Sequence, residues 1–86
     1  MEKPWYLYIL RCGDDTLYTG ITDDVEHRLA QHSAGKGAKY TRGRGPLMLV
    51  YREQLANRSE ASRREAAVKR LSRTQKLEMI EKASKG

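Results

Sequence analysis

Apolar positions along the chain fall into short runs of two kinds, and the change from one kind to the other marks the expected elements. Residues Trp5 to Cys12 form a nearly unbroken apolar and aromatic stretch between Pro4 and Gly13-Asp14-Asp15, the signature of a strand. Leu17 to Thr22 follows across a short Gly-Asp turn, and its β-branched and aromatic content completes an antiparallel hairpin. From Asp23 the apolar spacing becomes helical. Asp23-x-x-Glu26 reads as a capping box, and a helix to about Ser33 turns Val25 and Leu29 inward, with Arg28 and His32 beside that stripe one turn apart. Leu47 to Arg52 reads as a third strand. Asn57-x-x-Glu60 then opens a helix to about Leu71, and Ser72-x-x-Gln75 opens another that runs to a frayed end at Ala83 to Gly86. The fold class is α+β: a three-stranded antiparallel sheet flanked by helices, in the order ββαβαα.

The hairpin carries a geometric condition. Tyr6 and Tyr8 share one face of the first strand, and Tyr18 joins it only if paired residue numbers sum to an even value. A loop of odd length or a bulge is therefore expected. A two-residue turn at Asp14-Asp15 would send Tyr8 and Tyr18 to opposite faces.

At 86 residues the chain accommodates one small core, expected as a single domain over 1–86 with its main body at about 4–72 and a C-terminal helix at about 73–84. No apolar run is long enough to span a membrane, no signal peptide is recognisable, and the lone Cys12 has no internal disulfide partner, so a cytoplasmic location is expected. The formal charge of +6 lies wholly in the second half: residues 44–86 set eleven Lys and Arg against five Glu, whereas residues 1–43 balance. A surface of that kind suits a polyanion, although it also serves solubility or an acidic protein partner.

Two segments carry candidate chemistry. Between Ser33 and Pro46, glycines alternate with Lys36, Lys39, Arg42 and Arg44, with Tyr40 and Thr41 among them, and no acid is present. The composition predicts a mobile basic loop, either a nucleic-acid clamp or a plain connector. In the second helix Glu65 is the one acid between Arg63 and Lys76. Its spacing with Ala61 and Val68 turns it toward the sheet or to the edge of the buried face, where it serves as a metal ligand or as the partner of a neighbour such as Lys69. Arg64 competes for the same inward position.

These residues, taken in order, resemble the GIY-YIG nucleases. Tyr6-Leu7-Tyr8 resembles the GIY element and Tyr18-Thr19-Gly20 the YIG element, with a hairpin between them. Arg28 lies on the counterpart of the family's Arg-bearing helix, His32 matches a His of many members, and Glu65 falls at the family's metal-binding Glu. The chain is most similar to a group of short, stand-alone bacterial members. It departs from the pattern in having Tyr6 for the Gly of GIY and Thr19 for the Ile of YIG.

The resemblance implies a metal-dependent endonuclease acting on DNA, with RNA open as a substrate, in the repair or processing of DNA. Its catalytic set would be Tyr8, Tyr18, Arg28, His32 and Glu65. Glu65 would hold a single Mg²⁺ or Mn²⁺, Arg28 would grip a phosphoryl oxygen, and Tyr8 would act as general base with its phenol pKa lowered by the metal and Arg28. Tyr18 would orient water or phosphate. His32 would shuttle a proton, bond phosphate or simply pack. Lys36, Lys39, Tyr40, Arg42, Arg44, Lys69 and Arg73 would contact nucleic acid, and a protein partner would be one source of targeting. A nucleic-acid-binding module with little or no turnover is the alternative.

Overall fold

The computed structural model describes residues 3–85. Its elements are β1 (Trp5–Arg11), β2 (Leu17–Thr22), α1 (Val25–Ser33), a 3₁₀ turn (Lys39–Thr41), β3 (Met48–Leu55), α2 (Arg58–Lys69) and α3 (Arg73–Lys85). The three strands form one antiparallel sheet in the order β2-β1-β3, so the expected α+β fold and the order ββαβαα are both observed.

The hairpin has the register that the tyrosines require. Leu10 pairs with Tyr18, Tyr8 with Gly20 and Tyr6 with Thr22, across a five-residue connection at 12–16. The odd count is made by an Asp-centred turn: Asp14 Oδ1 accepts from the Thr16 hydroxyl at 2.6 Å and from its backbone N–H at 3.3 Å. Asp15 takes φ of 69°, a conformation its short polar side chain tolerates. Tyr8 and Tyr18 consequently point to the same side.

The odd-numbered residues of β1 build the core on the opposite face. Leu7 and Ile9 are fully buried against Val68 of α2, with Leu17, Ile21, Leu55, Met79 and Ile80 packed around them. Each such aliphatic side chain contributes about 1.5 to 3 kcal/mol by leaving water. Beyond Ile9 the pairing of β1 with β3 slips by one residue, from Ile9 with Tyr51 to Leu10 with Leu49, a bulge at Val50.

Several boundaries move from those expected. The N-cap of α1 is Asp24 rather than Asp23: its carboxylate accepts from His27 N–H at 3.1 Å, while Asp23 pairs with Lys3. β3 continues three residues past Arg52, because Glu53 and Leu55 still alternate into the sheet. Helix α2 closes at Lys69, and Asn57 caps its start by accepting from Glu60 N–H at 3.0 Å. The box at Ser72 is reciprocal: Ser72 Oγ accepts from Gln75 N–H at 3.2 Å and Gln75 Oε1 from Ser72 N–H at 2.9 Å. Helix α3 remains helical to Lys85 rather than fraying from Ala83, with the Ser84 hydroxyl donating to Ile80 O at 3.2 Å. Among the described residues no helix is long and apolar enough to cross a membrane.

Candidate active site

The face of the sheet opposite the aliphatic core is built around a hydrogen-bonded chain. Tyr8 is 2% exposed, and its hydroxyl lies 2.9 Å from His32 Nε2. His32 Nδ1 lies 2.9 Å from Thr41 Oγ1, and Thr41 Oγ1 lies 2.9 Å from the backbone carbonyl of Ala38. A carbonyl only accepts, so the single hydroxyl proton of Thr41 goes to Ala38 and Thr41 must accept from His32 Nδ1–H. In a neutral imidazole Nε2 is then the bare nitrogen, and the Tyr8 hydroxyl donates to it. The network thus fixes both the tautomer of His32 and the direction of the Tyr8 proton.

Two glycines make room for this chain. A Cβ at Gly20 would lie 2.6 Å from the Tyr8 hydroxyl oxygen, and one at Gly37 would lie 2.2 Å from His32 Nδ1. Gly20 therefore lets the phenol cross the neighbouring strand, and Gly37 lets the loop backbone close over the imidazole. The sequence signal for Gly20 was its place in Tyr18-Thr19-Gly20; nothing in the spacing singled out Gly37 or Thr41.

Tyr18 completes an aromatic cluster, its ring centroid 6.3 Å from Tyr8 and 5.3 Å from His32. His32, expected beside the stripe of α1, is one of its buried positions together with Val25, whereas Leu29 is only partly buried. Arg28, one turn earlier, is half-buried, donates to Gln31 Oε1 at 3.0 Å and stands beside the Tyr8 phenol.

The protein's own residues do not by themselves lower the Tyr8 phenol. Burial pushes the Tyr8 phenol up to about 12; Arg28 opposes the rise, and the charges of Tyr18 and Glu65 add to it. Desolvation of the phenolate outweighs the guanidinium, so Tyr8 is not lowered toward neutrality by these residues. Burial, reinforced by Arg28, holds His32 below its ordinary value and keeps it neutral.

Glu65 extends from α2, which packs chiefly against the edge strand β2, and its side chain is 24% exposed. Its nearest cation is Lys69 at 3.4 Å. Arg64 takes the other flank of the buried Ala61 and Val68 stripe and binds Glu53 of β3 through two contacts at 2.9 and 3.2 Å. The two residues that competed for the inward position thus straddle it. Five sequence-selected residues, Tyr8, Tyr18, Arg28, His32 and Glu65, come together within electrostatic reach of the Tyr8 phenol.

The basic loop is more ordered in its contacts than its glycines suggested. Thr41 is buried in the 3₁₀ turn, and Arg44 is ion-paired with Asp14. Lys36, Lys39 and Arg42 are exposed and form no ion pair among the described residues. Arg73 pairs with Asp15 at 3.3 Å. The side chain of Tyr40 lies outside the described residues.

A tyrosine from each hairpin strand, the glycine under the first ring, and an Arg, a His and a Glu around it thus lie together at the Tyr8 phenol. The family model of the GIY-YIG catalytic domain matches residues 4–78. The chain belongs to the GIY-YIG family. Similar proteins include the UPF0213 protein of Oceanobacillus iheyensis, 53% identical over 81 residues that make up 94% of each chain. The UPF0213 protein of Staphylococcus haemolyticus is 58% identical over 76 residues, covering 88% of this chain and 93% of that relative. A solution NMR structure of a UPF0213 protein from Bacillus halodurans superposes with a TM-score of 0.59 at 49% identity, covering 91% of this chain and 83% of that one. The solution NMR structure of the protein EF2693 from E. faecalis gives a TM-score of 0.67 at 40% identity, covering 100% of this chain and 94% of that one. GIY-YIG domains are nuclease domains, which implies a nucleic-acid substrate, and they generally use divalent metal ions.

Proposed function

We propose that the protein is a metal-dependent endonuclease that hydrolyses phosphodiester bonds in DNA, using His32 as the proton acceptor behind Tyr8. The observation that carries this reading is the one-way chain from Tyr8 through His32 to Thr41. A buried phenol pushed up to about 12 is scarcely ionised near neutral pH and so does not serve as free phenolate, yet it relays a proton when its own already points at a bare imidazole nitrogen. As water attacks phosphorus, its proton passes to the Tyr8 oxygen while the Tyr8 proton passes to His32 Nε2. The imidazolium so formed keeps its Nδ1–H on Thr41. Arg28 neutralises charge on a phosphoryl oxygen, and Tyr18 positions water or phosphate beside the Tyr8 hydroxyl.

The donor set fits a hard cation of low protein coordination. Among the described residues no three His, Cys, Asp or Glu side chains cluster, but Mg²⁺ or Mn²⁺ is commonly held by one or two carboxylates and completed by water and substrate phosphate. Glu65, half-buried and ion-paired with Lys69, is the residue to hold it. When bound, such an ion supplies charge neutralisation at the scissile phosphate and the departing oxygen.

The test is cleavage of labelled single-stranded, duplex and branched DNA with Mg²⁺ or Mn²⁺, by the wild type, Glu65→Gln and Tyr8→Phe. Cutting that needs the ion and is lost in both variants supports the proposal. Binding of the panel without cutting under any of these conditions would replace it with the binding-module reading.

A further inference from the structure

Behind His32, on the side away from Tyr8, lies a cavity of about 300 Å³. Its walls include His32, Thr41, Gly43, Gly45, Pro46 and Leu47; it adjoins the proton acceptor His32, but the chemistry above places no part of the substrate in it. The volume sits at the lower end of small-molecule pockets, and the lining follows their pattern: mostly apolar, with few polar groups. Gly45 gives it a direction. Gly13, Gly20 and Gly37 are held to glycine by atoms within 3 Å of a Cβ, and Gly35 and Gly43 by positive φ. Gly45 has neither reason: a Cβ there would meet nothing within 4 Å. A glycine with neither a close contact nor a positive φ, on the wall of an open cavity, leaves room for something from outside.

Charge identifies what that is. Lys36 follows Gly35 of the lining, and Arg42 lies between Thr41 and Gly43; both are exposed without ion-pair partners among the described residues. With His32 only 2% exposed, a flat ring in this cavity would lie against Pro46 and Leu47, and phosphates on either side of it would be near the segments that carry Lys36 and Arg42. We propose that this cavity seats one unpaired nucleobase of the substrate strand, beside the nucleotide whose phosphate faces Tyr8. This rests on the nuclease reading and narrows it, because a base stacked inside a duplex does not reach such a pocket: the substrate is single-stranded or has a base turned out.

The decisive measurement is equilibrium binding, in EDTA so that no strand is cut, of short single-stranded oligonucleotides that are intact or carry an abasic site at each position in turn. The expected result is one position at which losing the base weakens binding about tenfold. Gly45→Val fills the cavity from a position with free space, and is expected to bind the intact strand as weakly as wild type binds that abasic strand. Equal affinity for all the strands overturns the pocket, as does an unchanged base preference in a folded Gly45→Val. The wild-type comparison decides alone if the variant fails to fold. Cleavage of the panel without base preference would sink the pocket and leave the nuclease standing; base preference without cleavage would do the reverse.

Discussion

The hydroxyl of Tyr8 lies over Gly20, so close that a Cβ on residue 20 would stand 2.6 Å from the phenolic oxygen and 2.8 Å from Cζ. Tyr8 and Gly20 are direct partners in the β1 and β2 register, so the ring has no lateral escape along the strand. Gly20→Ala is therefore expected to lift the phenol off His32 Nε2. The cost is about 1 to 3 kcal/mol of stability, read by denaturant unfolding. Cleavage is expected to fall by about 10² or more, the scale of losing a positioned acid or base. Full activity in a folded Gly20→Ala would detach the Tyr8 to His32 bond from the reaction.

His32 links the same chain to pH. Burial and then Arg28 hold its pKa below the ordinary 6.5. Between that value and the folded one, the unfolded chain binds a proton that the folded chain does not. Its contribution to stability is thus complete above about pH 6.5 and shrinks as pH falls below it. The depressed carboxylates Asp14 and Glu26 titrate at lower pH, near and below the ordinary carboxylate range. Chemical unfolding between pH 7 and 5 is expected to show wild type losing stability faster than His32→Asn, and kcat/KM to decline only at the lower pH at which the acceptor nitrogen of the folded protein is filled. Parallel stability curves for the two proteins would show that His32 is not held neutral by the fold.

How far the chain could be read in advance follows from which interactions are local. Caps at Asn57 and Ser72, the hairpin register and the sheet all rest on residues close in sequence or on a strict period of two, and they were legible. The placement of Arg28, His32 and Glu65 rested on helical period plus resemblance. The contacts of the loop were hidden because they come from distant partners: Thr41 bonds His32 nine residues away, and Arg44 pairs with Asp14 thirty residues away. Composition records glycines and charges but not which of them a remote backbone will meet. The burial of Tyr8 was hidden for the same reason: its neighbours in sequence give no measure of the desolvation that raises its phenol.

Thr19, which replaces the Ile of the YIG element, is 4% exposed, and its hydroxyl has no hydrogen-bond partner among the described residues. Its side chain lies on the face of β2 that α2 covers, a setting that asks for an aliphatic group. Thr19→Val removes the orphaned hydroxyl at nearly constant shape. We expect a gain of roughly 1 kcal/mol, which for a domain of this size raises Tm by about 4 to 8 °C. A calorimetric Tm that stays level or drops would mean that the hydroxyl is satisfied in solution.

The exposed loop cations differ from the paired ones in a way that salt exposes. Lys36, Lys39 and Arg42 are uncommitted among the described residues, whereas Arg44 is held by Asp14 and Arg73 by Asp15. A cation that neutralises a phosphate releases a counterion, so removing it lowers the slope of log K against log salt by about 1. Lys36→Ala, Lys39→Ala and Arg42→Ala are each expected to lower the slope by that amount while leaving thermal stability unchanged. Arg44→Ala should alter the slope less, because freeing Arg44 to meet phosphate first requires breaking its pair with Asp14. It should also lower thermal stability slightly as that surface pair is lost from the loop. Binding isotherms from 50 to 200 mM salt on a single-stranded oligonucleotide separate the two groups, and a larger slope change for Arg44 than for Arg42 would reverse the assignment.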